Sequence, residues 1–302
     1  MFILLRIFHL RIFSIICIPA LVRVAFLTLL ERKVLSIVGS RFGPFKVSFL
    51  GVLQPITDAL KLASKGLVYL SNLSYLFFYA SSFLMLLISL LLYSFFFSFP
   101  SPVYFKYRIL IFFLILSFNS FNHIICGWST FSKFSLVGSV RIVCQLISYE
   151  AVLFICLLSL VIFSSNFDFG SWFLLNLSFF SLLVVPVFYI WMPTFLAELN
   201  RTPFDLAEGE RELVRGFNTE HGHLCFTLVF LGEYSNIVFF SVLRSAIFFS
   251  SSTLSLLFIF FVLWIRSVLP RLRFDKLMIL SWKLFVPFLR FFFLLLCTFL
   301  FF

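Results

Sequence analysis

Half of the chain's twelve acidic residues fall within the stretch Glu198 to Glu220, which reads ELNRTPFDLAEGERELVRGFNTE. Glu198, Asp205, Glu208, Glu210, Glu212 and Glu220 are offset only in part by Arg201, Arg211 and Arg215. Carboxylates crowded together and withdrawn from water raise one another's proton affinity, so the chemistry this cluster offers is uptake and release of protons near neutral pH. Fully solvated, the same run would be an ordinary charged linker. It carries apolar residues of its own, Phe204, Leu206, Leu213, Val214 and Phe217, and lies between two long apolar segments, which favours a stretch folded back into the protein. Thr202 can cap a helix whose first residue is Pro203, with Asp205 placed to complete a capping box. On that helix Asp205, Glu208 and Glu212 would share one face.

Two further acids sit inside apolar runs, Glu150 in Ser148-Tyr149-Glu150 and Glu233 in Gly232-Glu233-Tyr234. A carboxylate at membrane depth costs at least about 2.5 kcal/mol and so faces a partner, water or a proton path. A structural pair with Arg141 or Arg244 is the plainer reading. The proton path is preferred because the acid-rich stretch runs directly into the segment holding Glu233. Near the start, Glu31-Arg32-Lys33 is followed by Arg41-Phe42-Gly43-Pro44, a basic surface anchor in which Glu31 stands beside two cations. Near the end, Arg266, Arg271 and Arg273 surround the helix-breaking Pro270, an interface anchor or a docking surface for an acidic partner. His221 and His223 form H-x-H, too few ligands for a metal on their own, and His9 and His123 are isolated and read as structural. The six Cys (17, 126, 144, 156, 225, 297) are scattered, so no disulfide framework, zinc site or iron-sulfur site is expected.

The elements that must position these groups are set by composition. The chain has 302 residues, 62% hydrophobic and 12% charged, with a mean hydropathy of +1.14. A bilayer is the solvent such a chain fits. Spans of about 20 mainly apolar residues are needed, because only a helix satisfies its own backbone in lipid. Eight segments qualify: 3–30, 73–99, 109–125, 142–163, 172–197, 224–243, 248–265 and 284–302. The expected fold is therefore an all-α polytopic membrane protein forming a single domain over 1–302. It would have about eight transmembrane helices, an interfacial amphipathic helix at Gly51–Gly66 and an acidic helical loop between spans five and six. In the amphipathic stretch Leu53, Ile56, Leu60 and Leu67 recur at helical spacing, opposite Asp58, Lys61 and Lys65. It would anchor at the interface or floor the entrance for a lipid-soluble substrate.

Sixteen Lys and Arg lie in the odd connections against three in the even ones, which puts the odd loops on the cytoplasmic or matrix side and both termini opposite. The net charge of +11 is spread over these turns, so nucleic acid is not the expected partner. The 50 Phe read as coding bias. No Gly-rich nucleotide loop is present, so electrons would have to come from partner subunits.

The blocks LLERKVLSIVGSRFGP, LQPITDALKLASKG, GWSTFSKFSLVGSVRIVCQLISYE, FLGEYSNIV and WIRSVLPRLRFDKLMILSWKLFVPF, with the acid-rich stretch between them, resemble the membrane subunit 1 family of respiratory complex I. The resemblance covers most of the chain in the expected order, and the block from Pro203 to Glu212 is highly specific. It implies eight spans with both termini outside, at the heel of the membrane arm beneath the peripheral arm. Glu31, Arg32, Arg41, Asp58, Arg201 and Phe217 would then lie in or near a quinone entrance and chamber. Glu150, Glu198, Asp205, Glu208, Glu210, Glu212, Glu220 and Glu233 would form the acidic funnel that begins proton coupling. Ubiquinone would be the substrate, with FMN and iron-sulfur clusters in partner subunits and no catalytic residue or metal in this chain alone. The expected partners are the other membrane-arm subunits, the quinone-proximal iron-sulfur and peripheral-arm subunits, and membrane lipid. The expected location is the mitochondrial inner membrane, with a bacterial plasma membrane as alternative. The chain departs from the family pattern at Gly66-Leu67 and at Ala80-Ser81. A membrane subunit of an energy-converting hydrogenase-type ion pump is the alternative function. A stand-alone proton-coupled transporter fits less well, because no internal repeat is visible.

Overall fold

The computed structural model describes residues 2–48, 51–65, 74–97, 107–164, 167, 180–206, 216, 221–249 and 253–301, and every statement below concerns these. Their elements are helical, and among them there is no strand. In chain order they are α1 (Phe2–Val38), α2 (Gln54–Ser64), α3 (Tyr75–Phe97), α4 (Arg108–Ser129), α5 (Lys133–Ser164), α6 (Phe180–Glu198), α7 (His223–Phe249) and α8 (Ser255–Val268). Next comes α9 (Phe274–Ile279), which continues through a π-helical stretch, Leu280–Phe285, into α10 (Val286–Phe301).

Five of these rods are long and apolar enough to cross a membrane: α3, α4, α5, α7 and the continuous α9–α10 unit. The protein is thus a multi-pass, all-helical membrane protein. The helices occupy the stretches read from sequence, with shifted ends. α1 continues through Glu31-Arg32-Lys33 to Val38, and α5 begins at Lys133 instead of near Ile142. Hydropathy marks only the apolar part of a helix, whereas its backbone hydrogen bonds continue into polar surroundings at no extra cost.

Contacts between α3 and α7 and between α4 and α5 depend on the absence of side chains. A Cβ on Gly232 would lie 3.1 Å from the Met85 carbonyl oxygen, and one on Gly127 would overlap the Ser139 side chain. Small residues at such crossings let helix backbones approach closely, which is the main source of attraction between helices in lipid. Several buried serines are satisfied within their own helices, while Ser135 of α5 donates to the Gly127 carbonyl of α4 at 3.3 Å. Ser81, Ser120, Ser139 and Ser241 each donate to the carbonyl three residues earlier on their own helix.

α3, α5, α6 and α7 enclose the core, where Tyr93, Tyr149, Trp191, Phe195, Phe239 and Phe240 are almost fully buried. The Tyr93 hydroxyl donates to the Ser235 carbonyl at 2.8 Å and that of Tyr149 to the Leu277 carbonyl at 3.1 Å, so each buried phenol ties two helices together. In the same core Arg244 on α7 is buried. Its guanidinium stacks 3.5 Å from the Phe258 ring centroid and 5.1 Å from that of Phe195, and it donates to the Met192 sulfur.

The helix expected to start at Pro203 does not start there. Residues 201–206 form an irregular turn, entered through Asn200 at φ 50°. The Gln145 side-chain amide on α5 donates to both the Ala197 and Phe204 carbonyls at 2.9 Å, and the Leu272 N–H donates to the Pro203 carbonyl at 2.9 Å. The bonds to Pro203 and Phe204 take carbonyls that a helix starting there would have used internally. Glu208, Glu210, Glu212, Phe217 and Glu220 lie outside the described residues, so the expected shared face with Asp205 is not described.

Candidate functional site

A half-open cavity of about 480 Å³ lies between α1, α2 and α7. Most of its wall is apolar, from Val24, Leu35, Leu62, Phe226, Phe230 and Leu231. Its charged groups gather on one side and bind one another in a chain. Glu31, buried on α1, accepts a hydrogen bond from the Tyr234 hydroxyl at 2.6 Å and forms an ion pair with Arg266. The Arg201 guanidinium lies over the Tyr234 ring, 4.4 Å from its centroid, and reaches Glu233 at 3.6 Å. On the floor, Arg32 of α1 holds Asp58 of α2 at 2.6 Å, and Gln54 donates to the other Asp58 oxygen at 3.1 Å. α2 is thereby fixed across the cavity mouth while its Ile56 and Leu60 face outward, 54% and 65% exposed.

Glu233 faces a second space as well. A polar nook of about 10 Å³, the size at which a single water just fits, is lined by Glu233, Glu198, His123, Asn119, Asn200 and Asn236, with Met85, Leu199 and Gly232. Glu198 is buried, and its charge interacts unfavourably with that of Glu150, which is half-buried on α5. Asp205, also buried, pairs with Arg271 at 3.4 Å. The polar groups therefore run from the cavity through Tyr234 and Arg201 to Glu233, then to Glu198 and towards Glu150.

Of the residues assigned to the entrance from sequence, Glu31, Arg32, Asp58 and Arg201 line the cavity. Arg41 stands exposed in the turn after α1 and does not line it, and Phe217 is outside the described residues. Of the acids, Glu198 and Glu233 share the nook, Glu150 lies behind Glu198, Asp205 is paired with Arg271, and Glu208, Glu210, Glu212 and Glu220 are not described. Of the three arginines read as a docking surface, Arg266 turns in to Glu31, Arg271 reaches Asp205, and Arg273 remains exposed beside Asp275 at 3.2 Å. Tyr234 and His123 were not singled out for a role. The signal for His123 was available, since an imidazole inside the apolar α4 is as anomalous as Glu150 or Glu233 in theirs. His221 meets the Cys126 sulfur at 3.0 Å and packs on Phe78. Among the described residues no three His, Cys, Asp or Glu side chains gather as a metal-binding group.

An apolar, half-open chamber with an acid-and-arginine wall suits an amphiphilic molecule whose polar head reaches the charges while its tail stays in lipid. These features define the class: a multi-pass helical membrane protein with a mostly apolar, half-open cavity joined to a line of buried carboxylates. The chain belongs to the NADH dehydrogenase family, whose model matches residues 11–297. It is 44% identical over 284 residues to the NADH-ubiquinone oxidoreductase chain 1 of Aedes aegypti, covering 90% of this chain and 89% of that relative. It is 42% identical over 281 residues to the chain of the same name from Anopheles gambiae, with 90% and 89% covered. The Strongylocentrotus purpuratus counterpart is 39% identical over 287 residues, with 89% and 88% covered.

Proposed function

We propose that this chain is the membrane subunit of a proton-pumping NADH:ubiquinone oxidoreductase that forms the lipid-side wall of the quinone chamber and begins the acidic link to proton translocation. One observation carries the reading: a single cavity holds Glu31, Arg32, Asp58 and Arg201, and Arg201 joins it to Glu233. Ubiquinone enters past α2, with its tail on the apolar wall and its head towards Glu31, Tyr234 and Arg201. Electrons arrive from a redox centre in an adjacent subunit, and protons taken up with them convert quinone to quinol. The chain's own groups orient the head, keep bulk water out and hold protons at the Glu31, Glu233 and Glu198 carboxyls. The change in charge at the head then shifts protonation along Glu233, Glu198 and Glu150 and on to neighbouring membrane subunits. The acids from Asp205 to Glu220 belong to the same funnel in this reading, and Arg273 faces a peripheral partner. The eight-span topology, with odd loops on the matrix side of the mitochondrial inner membrane, is part of the proposal.

The test is photolabelling of the intact, NADH-active complex with a photoreactive ubiquinone analogue. The expected result is label on peptides of α1, α2 and α7, displaced by excess ubiquinone. Label confined to other subunits, or label here that ubiquinone does not displace, overturns the chamber assignment.

A further inference from the structure

Glu233 and Glu198 come from different helices, and the small nook between them brings His123 of α4 into the same space. The imidazole is buried at 3% exposure. Three neighbouring oxygens, Glu198 Oε1, Asn200 Oδ1 and Asn236 Oδ1, are buried without a hydrogen-bond partner among the described residues. Such oxygens call for a proton donor, and the nook has room for about one water beside the imidazole. The titratable groups facing the nook are Glu198 from α6, Glu233 from α7 and His123 from α4, while α3 contributes only Met85. Arg201 pairs with Glu233 at 3.6 Å.

From this geometry we infer that His123 carries protons between Glu233 and Glu198, a role that rests on the acidic-link reading above. Imidazole is suited to it because its two ring nitrogens let one side accept while the other donates. The O–H bond of protonated Glu233 breaks as an N–H bond forms on one ring nitrogen, directly or through one water. The N–H bond on the other nitrogen then breaks as an O–H bond forms on the Glu198 carboxylate. Exchange of tautomer resets the ring, and no electrons move. Asn119 and Asn236 orient the water and the ring.

The test is made in the assembled complex, reconstituted into vesicles, with His123→Gln, His123→Asn and, separately, Glu233→Gln. Proton pumping and quinone reduction are measured together, with and without an uncoupler. Expected for both His variants is a native-size complex whose pumping rate falls about a hundredfold, the lower end for removing a positioned proton-transfer group. Protons pumped per electron should fall with it, and an uncoupler should not raise the quinone reduction that remains, because little gradient is left to oppose it; a packing role would lower both rates together. If the His variants pump as the parent does while Glu233→Gln does not, the relay is wrong and the acidic link stands. If neither substitution changes pumping, the acidic link itself fails and the relay with it. If neither His variant assembles, His123 serves packing and the inference is overturned.

Discussion

Glu31 is doubly committed, since it accepts from Tyr234 and pairs with Arg266 while remaining 5% exposed. Tyr234→Phe removes a hydrogen bond to a charged group and is expected to cost about 2 kcal/mol. It should raise the KM for ubiquinone more than it lowers kcat, as steady-state quinone reduction would report, because head orientation is lost and the electron source is untouched. Glu150 makes a different prediction. It lies beyond Glu198 and away from the cavity, so Glu150→Gln should lower protons pumped per electron and leave the quinone KM alone. An unchanged pumping ratio in vesicles would remove Glu150 from the line. Sequence exposed these acids because a carboxylate in an apolar run is costly wherever its partner lies. It did not expose the partners. Arg266 and Arg271 sit in a basic turn like those that set membrane sidedness, and nothing local shows that they fold inward onto Glu31 and Asp205 from distant parts of the chain.

At the scale of elements, the long apolar rods were legible from their composition, because each must satisfy its own backbone in lipid. The turn at 201–206 was not, since the groups that bond its carbonyls, on Gln145 and Leu272, lie far away in sequence. Seams between helices are where substitution should be most costly. Gly232→Ala places a methyl 3.1 Å from the Met85 carbonyl, and forcing α3 and α7 apart is expected to cost about 1–3 kcal/mol. The loss should appear as faster thermal inactivation of the assembled complex. The α1–α2 link behaves in the opposite way. Arg32 and Asp58 are 51% and 32% exposed, so their pair is worth less than about 1 kcal/mol to stability. Asp58→Asn should leave thermal inactivation unchanged yet weaken ubiquinone binding, because α2 is no longer pinned across the mouth. An altered inactivation rate with unaltered ubiquinone binding would make the pair structural.

For the whole molecule, the distribution of exposed tryptophan complements that of charge. Trp128, Trp264 and Trp282 are 66%, 50% and 52% exposed and stand at or near the ends of α4, α8 and the π-helical stretch, beside the connections rich in Lys and Arg. Aromatic residues collect at membrane interfaces and cations on the inner side, which accords with the proposed matrix-side position of the odd loops. Lys133→Cys, at the first residue of α5, should react with an impermeant maleimide in inside-out inner-membrane vesicles and not in right-side-out ones. The reverse pattern would invert the topology. Composition alone reads the 50 phenylalanines as coding bias, yet among the described residues two kinds of position differ. Those facing outward, such as Phe118, Phe260 and Phe291, meet only an apolar surrounding that leucine would fill as well. Phe195 and Phe258 are the π faces on which buried Arg244 rests, and leucine offers a cation no such surface. Mutational drift among related lineages should thus run freely between phenylalanine and leucine over the outer surface. At positions 195 and 258 it should halt for as long as position 244 holds a cation.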